Sequence, residues 1–88
     1  MLIKRKIKIK NPQGLHARPA SMFVKIANKF ESEVTVKKGA ENVNGKSIMG
    51  LMTLAANQGA VIEVEVSGDD AEQAMQELET FLLNDKDE

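Results

Sequence analysis

The stretch AVIEVEVSGDDAEQAMQELETFLL, residues 60–83, contains a strand followed by a helix. Its first part alternates apolar and acidic side chains, which is the pattern of a strand with one buried face. From Ala71 onward the apolar side chains recur every three or four residues, as on the buried face of a helix that ends near Leu83. Asp69 and Glu72 have the spacing of a capping box, so we predict that the helix begins just after Asp69.

Another strand and helix are predicted at the start of the chain. Residues 3–9, IKRKIKI, place three isoleucines on one face and three lysines on the other, which predicts a half-buried strand. After the turn residues 11–14 a helix is predicted over 17–28, with Pro19 tolerated in its first turn. The side chains predicted to face the core are Ala20, Phe23, Val24, Ala27 and Phe30.

The middle of the chain predicts a hairpin and a second helix. Short strands are expected at residues 34–36 and 41–44, with turn residues between them. Ser47 is a natural N-cap for a helix over 48–57, which Gly59 would end.

The predicted order of elements is therefore β-α-β-β-α-β-α. Helices interleaved with short strands, two of them in a hairpin, indicate an α+β fold. We predict an open-faced β-sandwich, in which a four-stranded, mainly antiparallel sheet carries three helices on one face. A chain of 88 residues fits one domain, so residues 1–88 are assigned to a single unit.

Composition excludes several classes of protein. Without cysteine, and with one histidine, the chain has no disulfide and no thiolate or histidine-rich metal site, and we expect neither a metal nor a cofactor. A net charge of −1 argues against nucleic-acid binding. No apolar stretch approaches the ~20 residues of a transmembrane helix, so we expect a cytoplasmic protein without membrane insertion.

The only histidine, His16, lies in GLHARP, residues 14–19, directly before the predicted helix. The first-turn N–H groups of a helix lack intrahelical partners and carry the positive end of its dipole, so they bind anions. Arg18 adds a guanidinium that binds phosphate oxygens, and Gly14 permits a sharp turn or a close approach. Because a neutral imidazole is a nucleophile, the grouping suits a histidine that accepts a phosphoryl group. On spacing alone, a surface or capping histidine remains the alternative.

Residues 14–23, GLHARPASMF, resemble the active-site signature of the HPr family, the histidine-containing phosphocarrier proteins of the phosphoenolpyruvate-dependent phosphotransferase system. The similarity extends to NGKSIMGLMTL at residues 44–54, to residues 58–59, and to SGDDA at residues 67–71. It therefore covers nearly the whole chain. The family has the same order of strands and helices that the periodicity predicts.

The resemblance implies a phosphorylated residue and its partners. His16 would carry the phosphate on Nδ1, with the Arg18 guanidinium and the backbone N–H groups of Ala17 and Arg18 holding the phosphoryl oxygens. Enzyme I would supply the phosphate, with phosphoenolpyruvate as its source, and enzyme IIA domains of sugar permeases would receive it. Such a carrier turns over no small molecule alone, and we expect it to be a monomer.

The second helix carries more apolar side chains than one buried stripe requires. Leu51 and Leu54 can supply that stripe, which leaves Ile48, Met49 and Met52 partly exposed. Flexible methionine suits a surface that binds several partners, although burial of one or two of these side chains is the alternative. In the family, matching positions contact enzyme I and enzyme IIA. The predicted docking surface consists of Ala17, Ser21, Lys25, Ile48, Met49 and Met52.

Ser47 has two interpretations. Its role as a helix cap is sufficient to explain it. In the Gram-positive branch of the HPr family, however, HPr kinase/phosphorylase phosphorylates the matching serine, which makes Ser47 a candidate regulatory site. A phosphate there would place about two negative charges beside the docking surface.

Three other roles stay open from sequence. One is a nitrogen-related regulatory phosphocarrier, which keeps the histidine but does not serve sugar uptake. Another is a serine-phosphorylated corepressor that binds a catabolite control protein, although the presence of His16 argues against this as the only role. The third is a small module that binds nucleic acid through Lys4, Lys6 and Lys8. The near-zero net charge and the absence of Tyr and Trp count against it.

Overall fold

Four antiparallel strands form one sheet in the order β1-β4-β2-β3 in the computed structural model, which describes residues 1–84. The strands are β1 (Leu2–Lys8), β2 (Glu33–Lys38), β3 (Glu41–Asn44) and β4 (Val61–Ser67). The helices are α1 (Ala17–Ala27), α2 (Ile48–Thr53) and α3 (Ala71–Leu82). The predicted order of elements and the α+β open-faced sandwich are confirmed. The assignment of residues 1–88 to one domain stays a prediction.

β4 lies in the middle of the sheet, where it pairs antiparallel with β1 on one side and β2 on the other. Its inner face consists of the buried Ile62, Val64 and Val66, whereas Glu63 and Glu65 lie on the outer face, as the alternation predicts. β1 is an edge strand with three exposed lysines on its outer face. Charged side chains of this kind protect an open strand edge from pairing with another chain.

The helices supply the rest of the core. α3 packs on β1 and β4, and α1 contacts both α2 and α3. Every side chain predicted to face the core from the first helix is buried: Ala20, Phe23, Val24, Ala27 and Phe30. The buried stripe of α3 consists of Ala71, Ala74, Met75, Leu78 and Leu82. No helix within residues 1–84 is both long enough and apolar enough to cross a membrane.

The second helix is shorter than the sequence predicts, ending at Thr53 rather than Asn57. Ala55 follows in a left-handed conformation with φ of 51°, which stops helical propagation. The backbone of the next residue, Ala56, bonds to the segment before α1: its carbonyl accepts a hydrogen bond from the Leu15 N–H at 2.8 Å. This tertiary bond replaces the helical bonds that periodicity favours.

The capping box predicted from Asp69 and Glu72 is wrong. Asp70 is the N-cap of α3, and its side chain makes no capping hydrogen bond. Its carboxylate instead accepts hydrogen bonds from the Glu31 N–H at 2.9 Å, from the Ser32 N–H at 3.0 Å and from the Ser32 hydroxyl. The Asp70 side chain therefore joins the loop between α1 and β2 to the start of α3.

Asp70 should make the stability of the fold fall in acid. Hydrogen bonds from the Ser32 hydroxyl and the Glu31 amide hold the pKa of Asp70 below its ordinary value. A carboxyl with a lower pKa in the folded than in the unfolded protein stabilises the fold above the unfolded pKa, and the contribution is lost as pH falls through the folded pKa. We expect the free energy of unfolding, measured with urea, to decrease below about pH 4. Asp70→Asn should weaken this dependence; an unchanged pH profile would contradict the assignment.

Candidate functional site

His16 lies at the N-cap of α1 with extended backbone angles, and the predicted helix start at Ala17 is confirmed. The imidazole is exposed and makes no capping hydrogen bond, while the His16 carbonyl accepts the first helical bond from the Ala20 N–H at 2.8 Å. Pro19 is the third helical residue and is buried. Because proline has no N–H, it leaves no unsatisfied donor at that position and holds the first turn rigid.

The first turn of α1, which directly follows His16, presents a small group of hydrogen-bond donors. Within residues 1–84, neither a capping side chain nor a carbonyl from outside the helix accepts a hydrogen bond from the backbone N–H of Ala17 or Arg18. The Arg18 side chain is exposed and makes no ion pair in the same range. Unpaired amides at the positive end of an eleven-residue helix, together with a guanidinium, form a site that favours a phosphate-sized anion.

The imidazole ring has a partner that the sequence does not reveal. His16 Nε2 lies 3.0 Å from Asn57 Oδ1, although 41 positions separate the two residues in the chain. Asn57 lies in the loop between α2 and β4, in a segment that periodicity assigns to a helix. Nothing in the spacing of the motif points to this residue.

Gly14 explains how the two loops come so close. It has φ of 63°, and a Cβ at this position would lie 2.5 Å from the Ala56 carbonyl oxygen and 2.8 Å from the Asn57 Cα. Only glycine fits both the conformation and the space. The next residue, Leu15, is buried. The sharp turn inferred from sequence is therefore confirmed, and the close approach is to the loop between α2 and β4 of the same chain.

Ser47 is the N-cap of α2, as predicted. Its Oγ accepts a hydrogen bond from the Gly50 N–H at 3.0 Å. The neighbouring Lys46 ammonium donates to the Phe30 carbonyl at 2.8 Å, so this cation bonds to the loop between α1 and β2. Ser47 is only partly buried as a residue.

Ser47→Ala should lower the free energy of unfolding by about 1 kcal/mol, because the Gly50 N–H loses its acceptor. Chemical denaturation would measure the change. Ser47→Asn retains a capping oxygen and serves as the control, with an expected loss of only a few tenths of a kcal/mol. Equal stability of the alanine variant and the wild type would show that the cap contributes nothing.

All six residues of the predicted docking surface are exposed on two helices that contact each other. Ile48 is 40% exposed, Met49 77% and Met52 44%, whereas Leu51 and Leu54 are buried. The predicted division of α2 into a buried stripe and an apolar surface is confirmed. That this surface binds partners stays a prediction.

Similarity to a family model extends from β1 to just beyond α3. Residues 3–84 match the model described as the PTS HPr component phosphorylation site. The chain belongs to the HPr family. The HPr of Neisseria meningitidis serogroup A, a phosphocarrier protein, is 52% identical over 83 residues, which are 94% of this chain and 92% of the relative. The structure of HPr from Bacillus anthracis has a TM-score of 0.89 at 37% identity and covers 92% of this chain and 96% of that one.

The HPr fold also occurs in a relative that is named for catabolite repression rather than as a phosphocarrier. Crh, a catabolite repression protein of Bacillus subtilis, is 37% identical, with a TM-score of 0.77 over 94% of this chain and 95% of that one. Its crystal structure is described as a dimer with a swapped domain. The monomeric state expected for this chain therefore remains a prediction.

Proposed function

We propose that this chain is a phosphocarrier in which His16 accepts a phosphoryl group from enzyme I, with phosphoenolpyruvate as the source, and passes it to enzyme IIA domains of sugar permeases. The observation that carries the proposal is the exposed imidazole at the N-terminus of α1, beside the unpaired amides of Ala17 and Arg18. Membership of the HPr family supports the same role. The relay would operate in the cytoplasm, with the carrier as a monomer.

Phosphoryl transfer to the carrier needs one nucleophilic nitrogen and hydrogen-bond donors that stabilise the negative charge on the phosphoryl oxygens. The Nδ1 lone pair of His16 attacks phosphorus, and the bond from phosphorus to the donor breaks with its electron pair going to the donor. Catalysis of such a transfer depends on positioning and on charge stabilisation more than on covalent chemistry. The Arg18 guanidinium and the two first-turn amides stabilise the equatorial phosphoryl oxygens.

The docking surface would bind enzyme I and enzyme IIA in turn. Apolar side chains that are exposed on α2 supply contact area, and methionine adapts to partners of different shape. Ala17, Ser21 and Lys25 extend this surface along α1 toward the phosphorylated ring. One surface can serve both partners because the carrier meets them one at a time.

The direct test is to incubate the purified chain with phosphoenolpyruvate and catalytic enzyme I. We expect one acid-labile phosphate per chain, bonded to Nδ1 in the phosphorus and nitrogen NMR spectra. Adding an enzyme IIA domain should discharge it. An acid-stable phosphate, or no label at all, would exclude the proposed role.

The nature of the donor separates the sugar relay from the nitrogen-related alternative. The same assay is run with enzyme I of the sugar system and, in parallel, with its nitrogen-related homologue. We expect faster labelling by the sugar-system enzyme. Faster labelling by the homologue would favour the regulatory relay and leave the chemistry of His16 unchanged.

Ser47 would add a regulatory input. We propose that HPr kinase/phosphorylase phosphorylates it with ATP, and that the product binds a catabolite control protein. The added charge lies at the first residue before α2, next to the apolar side chains of the docking surface, so it should slow transfer from enzyme I. The test compares wild type and Ser47→Ala with the kinase and ATP, and then measures how fast each product is labelled at His16. Equal labelling of both chains by the kinase would exclude this site.

A further inference from the structure

We propose that Asn57 is a positioning residue that holds the His16 ring in one tautomer and one orientation, an inference that rests on the proposed function. The contact joins His16 Nε2 to Asn57 Oδ1 at 3.0 Å. An amide oxygen only accepts hydrogen bonds, so we assign the ring proton to Nε2. In a neutral imidazole the lone pair available for attack then lies on Nδ1.

The backbone around Asn57 is tied to the segment that carries His16. On its N-terminal side, the Ala56 carbonyl accepts from the Leu15 N–H at 2.8 Å. On its C-terminal side, the Gly59 N–H donates to the Ile9 carbonyl at 2.8 Å. These bonds hold both ends of the short loop against the chain between β1 and α1. The amide oxygen is therefore placed by backbone contacts that do not involve its own side chain.

The same hydrogen bond is compatible with both states of a carrier. When phosphorus bonds to Nδ1, the proton on Nε2 stays where it is and continues to donate to Asn57 Oδ1. No proton has to leave the ring as the phosphate arrives or departs. The ring is thus held in one orientation before transfer, which avoids the rate loss that a misplaced nucleophile causes.

The neighbouring Gln58 offers a matched control. Its side-chain amide donates a hydrogen bond from the same loop to the Lys10 carbonyl at 3.2 Å, whereas the hydrogen bond of the ring goes to Asn57. Gln58→Ala removes a loop hydrogen bond and leaves the His16 contact intact. Asn57→Ala removes the contact and leaves the Gln58 bond intact. Both residues are exposed, so both variants should fold.

The experiment records the imidazole nitrogen and proton NMR signals of His16 in the unphosphorylated protein. In the wild type and in Gln58→Ala we expect a protonated Nε2 with slow proton exchange and an unprotonated Nδ1. In Asn57→Ala we expect faster Nε2 proton exchange and averaging over ring orientations. Labelling by enzyme I should then be about tenfold slower for Asn57→Ala, and unchanged for Gln58→Ala.

Three results would overturn the inference. The first is a wild-type ring with its proton on Nδ1, and the second is an Asn57→Ala variant with unchanged ring signals and an unchanged labelling rate. A tenfold loss in Gln58→Ala as well would also overturn it, because loop integrity would then explain the effect. The spectra of the unphosphorylated protein need no enzyme I. Failure of the wild type to accept phosphate therefore counts against the proposed function, and the ring signals judge Asn57 separately.

Discussion

His16→Ala should accept no phosphate from enzyme I, while its free energy of unfolding stays within about 0.5 kcal/mol of the wild type. The loss is complete because the chain has one histidine and no cysteine, so it offers no second nucleophile of this kind. The fold tolerates the change because the imidazole is exposed and does not cap α1. Labelling with radioactive phosphoenolpyruvate and a urea denaturation curve measure the two quantities.

A second variant distinguishes loss of the nucleophilic nitrogen from loss of the side chain at position 16. His16→Gln keeps a side-chain amide that can contact Asn57, but it lacks a nucleophilic nitrogen. It should be as inactive as the alanine variant. Acid-labile labelling of either variant at the wild-type level would show that the phosphate resides elsewhere. Both chains should still compete with the wild type for enzyme I, since the docking surface is unchanged.

Arg18→Ala should slow phosphoryl transfer at His16 by about 100-fold, the effect of removing one preorganised donor from a charge-stabilising site. The Arg18 side chain is exposed and has no hydrogen-bond or ion-pair partner within residues 1–84, so we expect no loss of stability. The guanidinium acts only when the phosphoryl group is present. Single-turnover labelling by phosphorylated enzyme I measures the rate directly and separates it from docking.

Two controls sharpen the Arg18 prediction. Arg18→Lys keeps the charge but loses the planar pair of donors, and it should recover only part of the rate. Lys6→Ala removes the same charge from the outer face of β1, outside the site, and should leave the rate unchanged. Equal slowing of Lys6→Ala and Arg18→Ala would mean that overall charge, rather than a contact with phosphate, determines the rate.

Most of the secondary structure could be predicted because burial on one face is a local property of a strand or helix. The alternation at residues 60–66 indicates which face of β4 is buried, and the apolar spacing at Phe23 and Val24 does the same for α1. Both important caps could be predicted for the same reason. His16 before a proline-containing first turn and Ser47 before α2 follow rules that involve only three or four neighbouring residues.

The errors fall where hydrogen bonds join distant segments. The Asp70 carboxylate reaches Ser32 across 38 positions of sequence, so it does not cap its own helix. The backbone after α2 bonds to Leu15 instead of continuing the helix toward Asn57. In each case a tertiary partner competes with a local one, and periodicity contains no information about that partner.

By itself, then, the sequence determined the order of the elements, the residues of the core and the helix end at which the histidine lies, because all three depend on short-range spacing. Only the tertiary structure decided what the imidazole contacts. Asn57 comes within 3.0 Å of His16 because Gly14 lets two loops approach closely, and that approach depends on how the helices pack on the sheet.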